Sequence, residues 1–93
     1  MKSFPILVVE DNPADVRLIG GWLEEATWFK AVITYAETLS DCNALLKEHL
    51  YEAIMLDLNL PDSKGIETFR WLKALAPEVP VVVLQEFMIR ALR

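Results

Sequence analysis

Apolar residues gather in four compact runs along the chain, and between the runs they recur every third or fourth position. Three runs rich in Val, Ile and Leu stand at residues 5–9, 53–56 and 80–84, with a weaker one at 31–35. Their length and their β-branched content predict strands. The intervening segments carry the helical period. Residues 14–26 set Val16, Ile19, Leu23 and Ala26 on one face, and residues 39–50 do the same with Leu39, Cys42, Leu45, Leu46 and His49. Asp11 or Asn12 is placed to cap the first helix, and Thr38 followed by Asp41 resembles a capping box at the second. Ser63 or Asp62 is placed to cap a third, in which Ile66, Phe69, Leu72 and Leu75 share a face until Pro77 stops it.

Strand and helix therefore alternate three times before a fourth strand. This order predicts an α/β fold: a parallel sheet with right-handed crossovers and helices on both faces. Continuous rather than alternating hydrophobicity agrees, because parallel strands are buried on both sides. In such sheets chemistry gathers in the crevice at the carboxyl ends of the strands.

Two strands run into acids at that end. The third, "AIMLD", finishes on Asp57, before Pro61, Asp62 and Gly65 announce a turn; the first, "ILVVED", runs into Glu10 and Asp11. If these strands are neighbours, three carboxylates converge. Their repulsion would be relieved by a hard divalent cation with oxygen ligands, most simply Mg²⁺. Any one of these acids alone reads more simply as a solvated helix cap, so the weight lies on the constellation.

Composition narrows the classes. The 93 residues suffice for one domain, residues 1–93, with no repeat or linker to divide them. A net charge of −5, with only nine scattered Lys and Arg, argues against a nucleic-acid surface. Cys42 is the single cysteine, which excludes a disulfide framework and is read as a small buried hydrophobe. No apolar run is long enough to span a membrane and no signal-peptide pattern opens the chain, so a cytoplasmic protein without membrane partners is expected. An apolar share of 54% is high, leaving room for surface that a partner covers. Met55, Phe69 and Trp71 read as packing residues, Trp22 and Trp28 as core or helix-surface aromatics, and Lys64 and His49 as surface residues.

Taken together, "ILVVEDNPADVRLI", "AIMLDLNLPDSKGIETFRWLK" and "PEVPVVVL" resemble the receiver domain of two-component response regulators, over residues 4–85. The resemblance implies a flavodoxin-like sheet of order 2-1-3-4, with Asp57 as phosphoacceptor for a sensor histidine kinase or phosphotransfer protein. It implies that Glu10 and Asp11 hold Mg²⁺ together with Asp57, and that Asn59 offers its backbone carbonyl to the metal. It does not imply an enzyme beyond self-phosphorylation and dephosphorylation.

The pattern breaks toward the carboxyl end. The family continues with a helix, a fifth strand ending in a lysine, and a last helix, whereas this sequence stops at Arg93 after a divergent tail, residues 86–93. Gln85 occupies the switch position where the family carries Ser or Thr, and no lysine follows Lys73. Impaired phosphotransfer is expected. A phosphorylation-independent interaction or dimerisation module is the alternative. A homo-oligomer is also expected, formed through the fourth strand (Val81, Val83, Leu84) and the tail (Phe87, Met88, Ile89, Leu92), because an uncovered apolar edge favours pairing. A phosphoaspartate hydrolase of another fold is disfavoured, since the place of its second acid is held by Asn59.

Overall fold

Seven elements follow one another: β1 (Lys2–Val9), α1 (Pro13–Glu24), β2 (Phe29–Ala36), α2 (Leu39–Glu48), β3 (Ala53–Asp57), α3 (Ile66–Leu75) and β4 (Val81–Leu84). The computed structural model describes residues 2–25 and 29–84. All three strand pairings are parallel and the sheet order is β2-β1-β3-β4, the flavodoxin-like arrangement expected. Ala26, Trp28, Gln85 and the tail residues lie outside the described residues.

The two inner strands explain why their runs are continuously apolar. Leu7, Val9, Ile54 and Leu56 face one way and are buried with Cys42 of α2 and Leu72 of α3. Ile6, Val8 and Met55 face the other way, with Leu84 of β4, and meet Ile19 and Leu23 of α1. Every residue of β1 from Ile6 onward thus enters a core on one face or the other. Each fully buried Leu or Ile contributes roughly 1.5–3 kcal/mol of transfer free energy. The edge strand β2 is less demanding, and Val32 and Tyr35 remain 49% and 41% exposed on it.

Several local expectations require correction. β1 begins at Lys2 because it pairs with β2 from Lys2↔Phe29 onward, and the Phe4 and Phe29 rings meet edge to face at 5.3 Å; the polar Lys2 and Ser3 concealed this extension. Helix α2 ends at Glu48 rather than at Leu50, and His49, read as a surface residue, is exposed beyond it. In α3 the buried positions are Thr68 and Leu72, whereas Ile66 and Leu75 are 52% and 40% exposed. Trp22 is half exposed on α1, a surface aromatic.

The caps are redistributed as well. Asn12 caps α1, its Oδ1 accepting from Ala14 N–H at 2.9 Å and Asp15 N–H at 3.4 Å, with Pro13 in the first turn. Thr38 caps α2 as expected, accepting from Asp41 N–H at 3.0 Å. Neither Ser63 nor Asp62 caps α3. That position belongs to Gly65, which makes no side-chain cap bond, and Asp62 instead serves α2. Gly65 stands at φ 78° and ψ −165°, a region that L side chains rarely enter.

Gly65 and Gly21 make a clean pair for testing backbone conformation, because an added Cβ meets nothing within 4 Å at either site. Gly65→Ala is expected to destabilise the fold by about 1–3 kcal/mol through strain alone. Gly21→Ala, inside α1, should stabilise it by about 0.4–1 kcal/mol. Urea denaturation of the two variants measures both, and equal effects would contradict this account of Gly65.

Candidate metal centre

The parallel register of β1 and β3 builds the acidic site. Val8 pairs with Met55 and Val9 with Leu56, so one further step sets Glu10 beside Asp57. Glu10 shares the strand parity of Val8, and Asp57 that of Met55, so both acids belong to the sheet face that α1 covers. Glu10 prolongs the β1–β2 ladder by one bond, its N–H donating to the Ala36 carbonyl at 2.9 Å. Asp11 follows, exposed, at the turn into α1. One ligand oxygen from each of Glu10, Asp11 and Asp57 lies within 4.8 Å of the others. The sequence-predicted acids are therefore brought together.

Burial differs sharply across the three. Glu10 is 2% exposed, Asp57 is half-buried and Asp11 faces solvent. Burial raises the Glu10 carboxyl from 4.5 to about 9, helped by a hydrogen bond with Asp57 and then by the charges of Asp57, Asp15 and Asp11. When Glu10 is ionised its Oε2 is a buried oxygen with no donor. Either a proton or a cation must answer that charge. Three carboxylates, one of them buried and lacking a donor, fit a small divalent ion that takes oxygen ligands, which is the chemistry of Mg²⁺. Asp15, 8% exposed in the first turn of α1, is the member of this acidic neighbourhood that sequence reasoning missed. Its spacing of four from Asp11 was the available signal.

The loop between β3 and α3 frames the site. Asp57 Oδ1 accepts from the Asn59 N–H at 3.0 Å, which ties the carboxylate to the loop. Residues 58–65 fold on themselves: Leu60 N–H donates to Ser63 O at 3.0 Å, Gly65 N–H to Leu58 O at 2.7 Å, and Asn59 bridges Lys64. Lys64 Nζ donates to the Leu60 carbonyl at 2.8 Å, so its ammonium is engaged within the loop. Leu60 is fully buried and anchors the loop to the core, while the Ser63 and Thr68 hydroxyls bond each other. Gln85, read as the switch position, lies outside the described residues.

Comparison with known proteins gives this geometry a family context. The family model for the response regulator receiver domain matches residues 6–88. The polar-differentiation response regulator DivK of Brucella abortus (strain 2308) is 29% identical over 89 residues, spanning 91% of this chain and 68% of that protein. The protein-glutamate methylesterase/protein-glutamine glutaminase of Trichodesmium erythraeum (strain IMS101) is 28% identical over 83 residues, 89% of this chain. The chain spans only 23% of that relative's length. Among solved structures, the MaeR response regulator bound to beryllium trifluoride superposes with a TM-score of 0.77 at 29% identity, covering 92% of this chain and 68% of MaeR. Among the described residues no helix is long and apolar enough to cross a membrane.

The Glu10 proton has a sign that can be measured. Between 4.5 and about 9 the folded chain holds a proton on Glu10 that the unfolded chain has released, so metal-free stability should fall as pH rises through that window. Glu10→Gln should remove this component of the slope, and saturating Mg²⁺ should flatten it by displacing the proton. Denaturant titrations across the window check this. A metal-free slope identical in wild type and Glu10→Gln would overturn the assignment.

Proposed function

The chain belongs to the response regulator receiver domain family, and on that premise we propose that it is a phosphoacceptor module whose nucleophile is Asp57. The observation that carries this reading is the convergence of the Glu10, Asp11 and Asp57 oxygens within 4.8 Å at the carboxyl end of the sheet. Glu10 and Asp11 would hold Mg²⁺ with Asp57, and the Asn59 backbone carbonyl would complete the protein's share of the ligands. When bound, Mg²⁺ neutralises the phosphoryl oxygens that would otherwise repel a carboxylate. Asp57 attacks phosphorus, a P–O bond forms as the donor's P–N bond breaks, and the donor imidazole recovers a proton from solvent. The donor is a sensor histidine kinase or a phosphotransfer protein, on which a receiver domain depends for its phosphoryl group. Beryllium trifluoride bound to the related MaeR supports this reading of the acidic pocket.

Two positions bear on rate. Gln85 would present an amide where the family presents a hydroxyl, and the 93-residue sequence has no lysine after Lys73. Lys64 donates to the Leu60 carbonyl, which argues against its replacing that lysine. Without an ammonium on the phosphoryl oxygens, a charge-assisted contact is lost. The 93-residue chain should therefore become phosphorylated at Asp57 alone, more slowly than a receiver carrying that lysine. Intact mass after incubation with acetyl phosphate and Mg²⁺ decides: a phosphorylated species surviving Asp57→Ala removes the site, and a rate equal to that of a lysine-bearing receiver removes the impairment.

One observation favours the second reading, an interaction or dimerisation module. β4 is an edge of the described sheet, and Val82 is 45% exposed on it. An apolar edge strand recruits another strand, and a second copy of the 93-residue chain would supply one. Sedimentation of the 93-residue chain at micromolar concentration is expected to show a dimer that Val82→Asp disperses. A folded monomer would exclude association through β4.

A further inference from the structure

The amino end of α2 is closed by a residue from another part of the chain. A helix leaves its first N–H groups without partners inside the helix. In α2, Thr38 takes the Asp41 N–H, while Asp62, in the β3–α3 loop, takes two others from 23 and 22 residues away: Oδ1 accepts from Leu39 N–H at 2.8 Å and Oδ2 from Ser40 N–H at 3.0 Å. Each carboxylate oxygen thus has its own donor, and the negative charge sits at the positive end of the helix dipole. These bonds are the only polar ties between residues 58–65 and α2 among the described residues.

The loop that carries Asp62 is braced by its own hydrogen bonds. It is pinned by Leu60 N–H to Ser63 O, Gly65 N–H to Leu58 O, the Asn59–Lys64 bridge and the Lys64 ammonium on the Leu60 carbonyl. Asn59 lies near the start of this unit, with its N–H on Asp57, and Asp62 lies inside the turn that the Leu60–Ser63 bond closes. These bonds give a displacement at Asn59 a continuous path to Asp62.

We propose that Asp62 is a positioning residue that couples the metal-binding loop to the amino terminus of α2, so that cation occupancy of the Glu10–Asp11–Asp57 site is read at α2. The inference rests on the metal site named above, and it adds a second surface to it. Coupling of this kind is reciprocal: a cation that orders the loop strengthens the Asp62 bonds to Leu39 and Ser40, and those bonds strengthen cation binding by the same factor. The backbone N–H groups of Leu39 and Ser40 also hold the Asp62 carboxyl below the usual aspartate range, in keeping with a carboxylate engaged by both donors.

The test compares Asp62→Ala with Thr38→Ala, which removes the other side-chain cap of the same helix end without touching the loop. Amide hydrogen exchange and Mg²⁺ titration, both followed by NMR on the 93-residue chain, are the readouts. In wild type, Mg²⁺ should slow exchange at Leu39 and Ser40. Asp62→Ala should abolish that response, speed metal-free exchange at Leu60 and Gly65, and weaken Mg²⁺ binding about 10-fold, as loss of an outer-shell support does. Thr38→Ala should leave the loop amides and Mg²⁺ affinity near wild type, and Asp62→Asn, which keeps one acceptor oxygen, should fall between. Equal effects of Asp62→Ala and Thr38→Ala on the loop amides and on affinity would overturn the coupling and leave Asp62 an ordinary cap. A wild-type chain insensitive to Mg²⁺ whose loop amides still respond to Asp62→Ala would instead overturn the metal site while upholding the mechanical link.

Discussion

Placing a buried carboxylate beside another carboxylate is unfavourable, and the architecture around the site is arranged to sustain it. The parallel pairing of β1 with β3 leaves no freedom: once Val8 meets Met55 and Val9 meets Leu56, Glu10 follows beside Asp57. A one-residue slip of β3 would relieve the repulsion, but it would turn Ile54 and Leu56 away from the core they share with Leu7 and Val9. Hydrophobic register on two faces of the inner strands therefore outweighs charge repulsion at their ends. The unfavourable energy remains in the site as a demand for a proton or a cation.

The surrounding loops convert that demand into a defined pocket. Asn59 holds one oxygen of Asp57, while Leu60 roots the loop in the core with residues of β3 and α3. Gly65 then permits the loop to close on Leu58 in a conformation that no ordinary residue adopts without strain. Asp62 extends the same loop to α2. The residue that holds Asp57, the acid that closes the amino end of α2 and a tight turn thus all lie within residues 58–65.

Much of this architecture is legible in the amino-acid sequence. Strand runs at the inner positions are readable because both faces of β1 and β3 are buried, which makes hydrophobicity continuous. The three site acids are readable because each stands where an apolar run meets a turn. The third helix misleads, since Ile66 and Leu75 carry the right spacing and hydrophobicity yet remain 52% and 40% exposed. Thr68, a polar residue, takes the buried place because its hydroxyl meets that of Ser63, a pairing that periodicity does not encode. Asp62 misleads for a related reason: cap rules are local, and its partners lie in a helix that precedes it in the chain by more than 20 residues.

By itself, then, the sequence determined the element order, the parallel class of the sheet and the identity of the acids at its carboxyl end. Those follow from short-range patterns, in which each residue's polarity is read against neighbours within one turn or one strand. Tertiary structure alone decided that Glu10 is buried while Asp11 is open, that Asp15 joins their field, and that Asp62 crosses to α2. Burial and cross-chain hydrogen bonds depend on which elements become neighbours in space. That adjacency is set by packing over the whole sheet.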